Sequence, residues 1–411
     1  MTMISVFTPS HDPKYLNQCY RSLNEQTNNN WEWIVLLNGD ADWDPPKDAR
    51  VVVYYSVAEG VGALKREAVS YCTGDVYLEL DHDDILMPNA LMEVEYVFDK
   101  FPDVGFVYSD TAQILEDGKA DLVPPFGAEY GWKYYNEEGY VGALAFEDYP
   151  HNVSYIWFAP NHLRAFRSAL YAEIEGYKAN LEVLDDQDIM TQLYQTETKF
   201  YHIPEILYLQ RVHPENTQKT RNAEIQIGTV DMYYKTIEKN CLAWANREGL
   251  LALDLGAHHN KAEGFLGVDL RPGEGVDYVG DIFDMDIADS SVGVIRAYDF
   301  MEHIANKTAF MEWCYDKLAH GGMLLSMTPS SDGRGAFQDP THIAFWNENS
   351  FWYYTDKNYA DFIDFKCRFQ QSALRSFFPS DWHRDNHIPY VQANLIAVKQ
   401  DTHHFGGLLN I

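Results

Sequence analysis

Short apolar runs alternate with amphipathic stretches through this 411-residue chain, and the alternation starts afresh near residue 245. Ile4–Thr8, Trp33–Leu37, Val51–Tyr55 and Val76–Leu80 read as buried strands, with helical spacing over residues 13–26, 62–72 and 88–100 between them. Apolar strands alternating with helices indicate an α/β fold with a mostly parallel, doubly wound sheet. Residues 122–160 are irregular and rich in Pro, Gly, Tyr and Trp. A helical stretch follows over 222–247, through Ile225, Ile227, Val230, Tyr233 and Ile237. The strand pattern then returns at Leu250–Leu255, Phe265–Asp269, Val292–Ala297 and Met323–Met327. At about 150 residues per domain the length also calls for more than one unit. The expected division is a first domain over 1–221, a helical linker over 222–247 and a second α/β domain over 248–411.

Several classes drop out. Hydrophobic residues make up 46% and aromatics 15%, too much apolar material for long disorder or a coiled coil. No apolar run approaches the roughly 18 residues of a membrane helix. The opening MTMISVFTPSHD lacks a basic segment and a cleavage site, so no secretory signal is expected. Five widely spaced Cys do not form a disulfide framework, which makes the reducing cytoplasm the expected location. A net charge of −31 repels phosphate backbones and counts against a non-specific nucleic-acid binder.

Chemistry concentrates where strands end. Residues 76–84 read VYLELDHDD, an apolar run that stops in Asp81, Asp83 and Asp84. Ligands of open α/β sheets sit at the carboxyl ends of strands. Clustered carboxylates repel one another unless a cation joins them, and Mg²⁺ or Mn²⁺ takes such oxygens while sharing substrate phosphates. A solvated acidic turn is the plain alternative. A second acidic run, LEVLDDQDIMTQLY, opens a helix with Asp185, Asp186 and Asp188, where acids also simply complement the helix dipole.

The stretch GVGALKREAVSYCTGDVYLELDHDDILMPNAL resembles family 2 glycosyltransferases of the GT-A fold. Lys65 stands where that family has Arg, and Arg66 where it has Asn. FTPSHDPKYLNQCYRSLNEQTNNNWEWIVLLNGD is similar to the family's first strand, helix and second strand, although its usual Asp-Gly-Ser is missing. The resemblance covers roughly residues 1–220. It implies a nucleotide-sugar donor, UDP- or GDP-linked, held by Thr8, Pro9, Asp40, Lys65, Asp81 and Arg211. It implies Mn²⁺ or Mg²⁺ on Asp81, Asp83 and His213, the last from LYLQRVHPENTQKT. It implies a catalytic base at Asp186, with Asp188 as the near alternative. The segment PNHLRAFR, with His162 and Arg164, resembles an acceptor-side strand of the family.

The second half resembles class I S-adenosylmethionine-dependent methyltransferases, a Rossmann-like fold. LALDLGAHHN is similar to their first motif, with Asp254 and Gly256 in place, but Ala257-His258-His259-Asn260 carries side chains where glycine is expected. Asp269 fits the acid that holds ribose hydroxyls, and Asp281 the position beside adenine. DFMEHI, HGGMLLSMTPS and DPTHIAFWNENSF resemble later segments of the superfamily.

Together these readings imply a glycosyltransferase acting on a glycan or other hydroxyl acceptor, inverting and metal-dependent, without a membrane span. The second domain is expected either to bind S-adenosylmethionine and methylate the glycan, or to be a catalytically inactive binding or scaffold module. Two further readings have less behind them. A glycosyltransferase acting on hydroxylated DNA bases lacks a basic, aromatic-interleaved tract. A hydrolase needs flanking carboxylates but no clustered DxD.

Overall fold

The computed structural model describes residues 2–124, 127, 130–155, 163–400 and 405–407. The chain divides into two compact units, 1–240 with 403–406, and 241–402 with 407–411. The helix Asn222–Arg247 runs through the division at Asn240.

In the first unit the strands are β1 (Ile4–Ser10), β2 (Trp31–Asn38), β3 (Val51–Ser56), β4 (Val76–Glu79), β5 (Ile85–Leu86), β6 (Val104–Leu115), β7 (Tyr134–Glu137), β8 (Tyr140–Ala143), β9 (Arg164–Arg167) and β10 (Lys199–Val212). Their order is β3-β2-β1-β4-β9-β6-β10-β5, with β8 beside β6 and β7 beside β8. The β3-β2-β1-β4 half is parallel, as the alternation of strands and helices requires. The other half corrects the mostly parallel expectation, because β9 runs antiparallel between β4 and β6, and β5 and β8 also pair antiparallel. The sheet is therefore mixed. The stretch 122–160 also departs from the irregular expectation, since it contains the β7–β8 hairpin and a short helix, Pro150–Val153.

The core forms where β1, β2 and β4 present Ile4, Val6, Trp33, Val35 and Leu78 to Leu16 and Leu23 of one helix and Leu91 and Phe98 of another. The first of these helices is shorter than 13–26. Asp12 accepts a bond from Lys14 N and starts a tight 3₁₀ turn at Pro13–Tyr15, so the α-helix proper covers Leu16–Asn24.

The second unit holds β11 (Leu251–Leu255), β12 (Leu266–Asp269), β13 (Tyr278–Val279), β14 (Val292–Tyr298), β15 (Leu318–Pro329), β16 (Phe369–Phe377) and β17 (Tyr390–Ala397). The order is β13-β12-β11-β14-β15-β17-β16. Only β17 runs against its neighbours. The winding reverses between β11 and β14, and crevices at such reversals are where doubly wound sheets place ligands. Its own core gathers Leu253, Ile295, Leu324, Trp346, Phe351, Phe369 and Leu395.

Candidate active site

Because β1, β2 and β4 are parallel neighbours, their carboxyl ends meet at one edge of the first unit. Thr8 ties that edge together. Its hydroxyl donates to Leu80 O at 2.7 Å and accepts from Trp33 Nε1 at 2.8 Å, and the residue is fully buried. Pro9 is half-buried, and Asp40 stands exposed in the turn after β2.

Beyond β4 the chain bends through Asp81–Asp84 over the thiol of Cys19, which lies 3.2 Å from both His82 O and Asp84 O. Asp84 points inward. It is 3% exposed and accepts Arg211 N at 2.7 Å, and burial, then Asp83 and Asp81, push its carboxyl well above the usual range. Arg211 is fully buried and donates to Asp83 O, Leu115 O, Glu116 O and Gln18 Oε1 at 2.7–3.2 Å. Its donors thus shape the acidic loop from behind. Asp83 faces His213, with Oδ2 and Nε2 2.7 Å apart. Burial pushes the Asp81 carboxyl up to about 7, with Glu79 and Asp83 adding to the shift against Lys65 and Arg164. A cation would offset that cost, but among the described residues the ligand atoms of Asp81, Asp83 and His213 are not gathered within 4.8 Å of one another.

Behind Asp81 lies a buried ion network. Glu79, the last residue of β4, is 1% exposed and holds Lys65 Nζ at 2.5 Å, Arg164 Nη2 at 2.8 Å and the Tyr177 hydroxyl at 2.9 Å. Burial opposes the Glu79 carboxylate, but Arg164 and Lys65 outweigh it and hold its pKa below the usual range. Lys65 also pairs with Asp185 Oδ2 at 2.6 Å, and Arg164 Nη1 stands 3.5 Å from Asp186 Oδ2. Two cations therefore bridge the end of β4 to the first turn of the helix Asp185–Tyr194. Removing one partner of so buried a set leaves an uncompensated charge, which is expensive.

The three acids of that helix have different surroundings. The Asp185 side chain is 8% exposed and locked to Lys65. Asp188 is held by Lys178 at 2.8 Å and by Gln192 at 2.5 Å. The Asp186 side chain is 26% exposed, the most open of the three, and burial followed by the charge of Asp185 raises its pKa against the pull of Arg164. Leu184 enters the helix at φ 63°, a strained backbone for a leucine.

Glycine at position 62 lets two segments touch. A Cβ there would lie 2.1 Å from Lys178 O, and Gly62 N donates to Leu181 O at 3.0 Å. Neither Glu79 nor Tyr177 belongs to an acidic or glycine motif in the sequence. A glutamate inside an apolar strand run was the available signal for the first. His162 lies outside the described residues.

In the second unit Asp254, at the end of β11, is 1% exposed. Its two oxygens are engaged by Arg296 Nη1 at 2.9 Å and Ala262 N at 2.7 Å. Gly256 takes φ +74°, a conformation that side chains disfavour, and packs under Phe300. Asp269 closes β12 with Oδ1 on Arg271 N at 2.9 Å. Asp281 caps a short 3₁₀ turn through Phe283 N at 3.0 Å. His258 and His259 stand ring to ring, 3.9 Å between centroids, in the loop after β11. Among the described residues, no helix is long and apolar enough to cross a membrane.

Residues 5–149 match the family model for glycosyl transferase family 2. The match lies within the first unit and includes the strand end that bears Asp81, Asp83 and Asp84. It is similar to the O-antigen biosynthesis protein RfbC of Myxococcus xanthus, 27% identical over 224 residues, 50% of this chain and 16% of that protein. It is also similar to the chondroitin synthase of Escherichia coli, 25% identical over 226 residues, 52% of this chain and 30% of that protein. The chain therefore spans less than a third of the length of these relatives. Among solved structures, S. aureus TarS 1–349 aligns with a TM-score of 0.40 at 15% identity, over 60% of this chain and 70% of that chain.

Proposed function

We propose that the first unit moves a sugar from a nucleoside-diphosphate donor to a hydroxyl acceptor by one inverting displacement, with Asp186 as base. The observation that carries this reading is the network joining Asp186, through Arg164 and Glu79, to the strand end that bears Asp81. It supports a fixed spacing between an acceptor-side base and a donor-side acidic loop. Asp186 takes the acceptor hydroxyl proton while that oxygen attacks the anomeric carbon. The bond from this carbon to the diphosphate breaks, and its electron pair leaves with the diphosphate. A raised pKa makes Asp186 a better base than an ordinary aspartate. A divalent cation held by Asp81, Asp83 and His213 would neutralise the leaving diphosphate.

Two expected donor contacts take other roles in this proposal. Lys65 positions Asp185 and Glu79 in place of a diphosphate contact, and Arg211 holds the acidic loop from behind. Hydrolysis of a panel of UDP- and GDP-linked sugars, with and without Mn²⁺, tests the reading. Turnover that appears with Mn²⁺ is the expected result. No turnover of any nucleotide sugar, with hydroxyl acceptors added, would sink it.

For the second unit we propose weak or acceptor-dependent binding of S-adenosylmethionine, with methylation of the same glycan as the paired activity. Strand order in β13-β12-β11-β14-β15 and the conformation of Gly256 support it. The engaged carboxylate of Asp254 favours the weak form. Calorimetry with S-adenosylhomocysteine tests it. Absence of binding even with acceptor present would leave a scaffold module.

A further inference from the structure

The second unit contains a side-chain cluster that neither transfer reaction uses. The segment DFMEHI leaves β14, and the segment DPTHIAFW docks on it through the backbone. Ile343 N and Ala344 N both donate to Glu302 O at 2.9 Å, and Trp346 Nε1 donates to Met301 O at 3.2 Å. This docking gathers Glu302, His303 and His342, each offering one ligand-type atom within 4.8 Å of the others. His342 Nε2 lies 4.0 Å from Glu302 Oε1, and the two imidazole rings are 5.0 Å apart at 72°.

The remaining atoms of these side chains are already engaged. His342 Nδ1 is 3.2 Å from Ala336 O, and His303 Nδ1 is 3.1 Å from Thr341 O. A ring that donates Nδ1–H to a carbonyl keeps its lone pair on Nε2, which is how metal-ligating histidines are oriented. Glu302 is 2% exposed, and its Oε2 accepts the Thr328 hydroxyl at 2.7 Å, which leaves Oε1 for the histidine side. Asp299 borders the same cavity of about 260 Å³, along with Tyr390 and His383. The cavity sits at the carboxyl ends of β14 and β15, beside the reversal of winding where such sheets bind ligands.

We propose that Glu302, His303 and His342 bind a divalent first-row transition ion. Two imidazoles and a carboxylate select Zn²⁺, Co²⁺, Fe²⁺ or Mn²⁺ over Ca²⁺. Three protein ligands leave positions open for an oxygen of a hydroxyl-bearing substrate. The site stands whether or not this unit binds S-adenosylmethionine.

Co²⁺ is the probe, because its visible ligand-field absorption reports imidazole and carboxylate ligation directly. The full-length Asp83→Asn chain, whose acidic loop lacks one of its proposed cation ligands, is titrated alongside the same chain carrying His303→Ala or His342→Gln. His303 is exposed, so its replacement leaves the core intact. Far-UV circular dichroism checks the fold of each variant. The expected result is a saturable absorption band in Asp83→Asn that weakens at least about 10-fold in affinity when either histidine is also replaced. A band unchanged by His303→Ala, or no band in Asp83→Asn, would each overturn the proposal.

Discussion

Which of three neighbouring aspartates does the chemistry turns on what each side chain already holds. Asp185 is committed to Lys65, and Asp188 to Lys178 and Gln192, while Asp186, which accepts Gln187 N at 2.8 Å and stands 3.5 Å from Arg164, keeps the most exposed side chain of the three. Asp186→Asn should therefore lower kcat about 10²–10⁴-fold with little change in donor KM, since a base acts in the transition state. Steady-state kinetics on Asp186→Asn and Asp188→Asn side by side decide it. The assignment moves if the Asp188 variant shows that pattern instead. Asp83→Asn should abolish Mn²⁺-dependent affinity for a nucleoside diphosphate while leaving the fold intact, because Asp83 and His213 form a polar pair at the loop rim. Calorimetry checks it, and unchanged affinity would reduce the acidic loop to a solvated turn. At this scale the sequence displayed the acids but not their partners. Glu79 meets Arg164 across 85 positions and Tyr177 across 98, and no local pattern encodes such distant contacts. The same holds for Arg211, whose family resemblance pointed to a diphosphate while the folded chain surrounds it with carbonyl oxygens.

Elements carry the next level of constraint. The parallel half of the first sheet was legible because β1, β2, β3 and β4 are each apolar and each followed by turn residues or a helix. The insertion of β9 between β4 and β6 was not, since four residues reading RAFR carry no period of their own. Yet that strand delivers Arg164 to Glu79. In the second unit the sequence displayed DFMEHI and DPTHIAFW as separate motifs. Only backbone bonds from Ile343 and Ala344 to Glu302 reveal that they build one site. A prediction follows from the helix Val61–Ser70, whose second residue lies against the segment before the helix Asp185–Tyr194. Gly62→Ala puts a methyl 2.1 Å from Lys178 O, a backbone atom that cannot swing aside. It should destabilise the unit by about 1–3 kcal/mol, the usual range for overpacking. It should also lower kcat, because the displaced segment leads to Leu184 and the acids after it. Thermal unfolding and single-turnover rates measure the two effects. A variant as stable and as active as the parent would show that the close approach has no role in placing Asp186.

For the whole molecule the dominant quantity is the net charge of −31. Its effect depends on whether any cations remain to form a basic surface. Many surface cations are already paired with carboxylates. Lys14 meets Glu116, Lys119 meets Asp117, Lys199 meets Asp103, Arg221 meets Glu224, Lys261 meets Asp277 and Arg384 meets Asp381, all at 2.6–2.9 Å. Such exposed pairs add little to stability, a median of about 0–1 kcal/mol. Their consequence is electrostatic, since they remove cations that would otherwise meet phosphates. An acceptor in the form of hydroxylated DNA would then face repulsion that grows as ionic strength falls. The expected outcome is that neither modified nor unmodified duplex DNA binds at about 50 mM salt, where basic proteins gain most affinity. The same repulsion should make the folded chain more stable as salt rises over the range in which the Debye length shrinks from about 30 to 10 Å. Gel retardation at two salt concentrations and melting curves across that range measure both. Retention of hydroxylated DNA that weakens with added salt would reveal a local basic site, and would turn the acceptor assignment from a glycan to a nucleic acid.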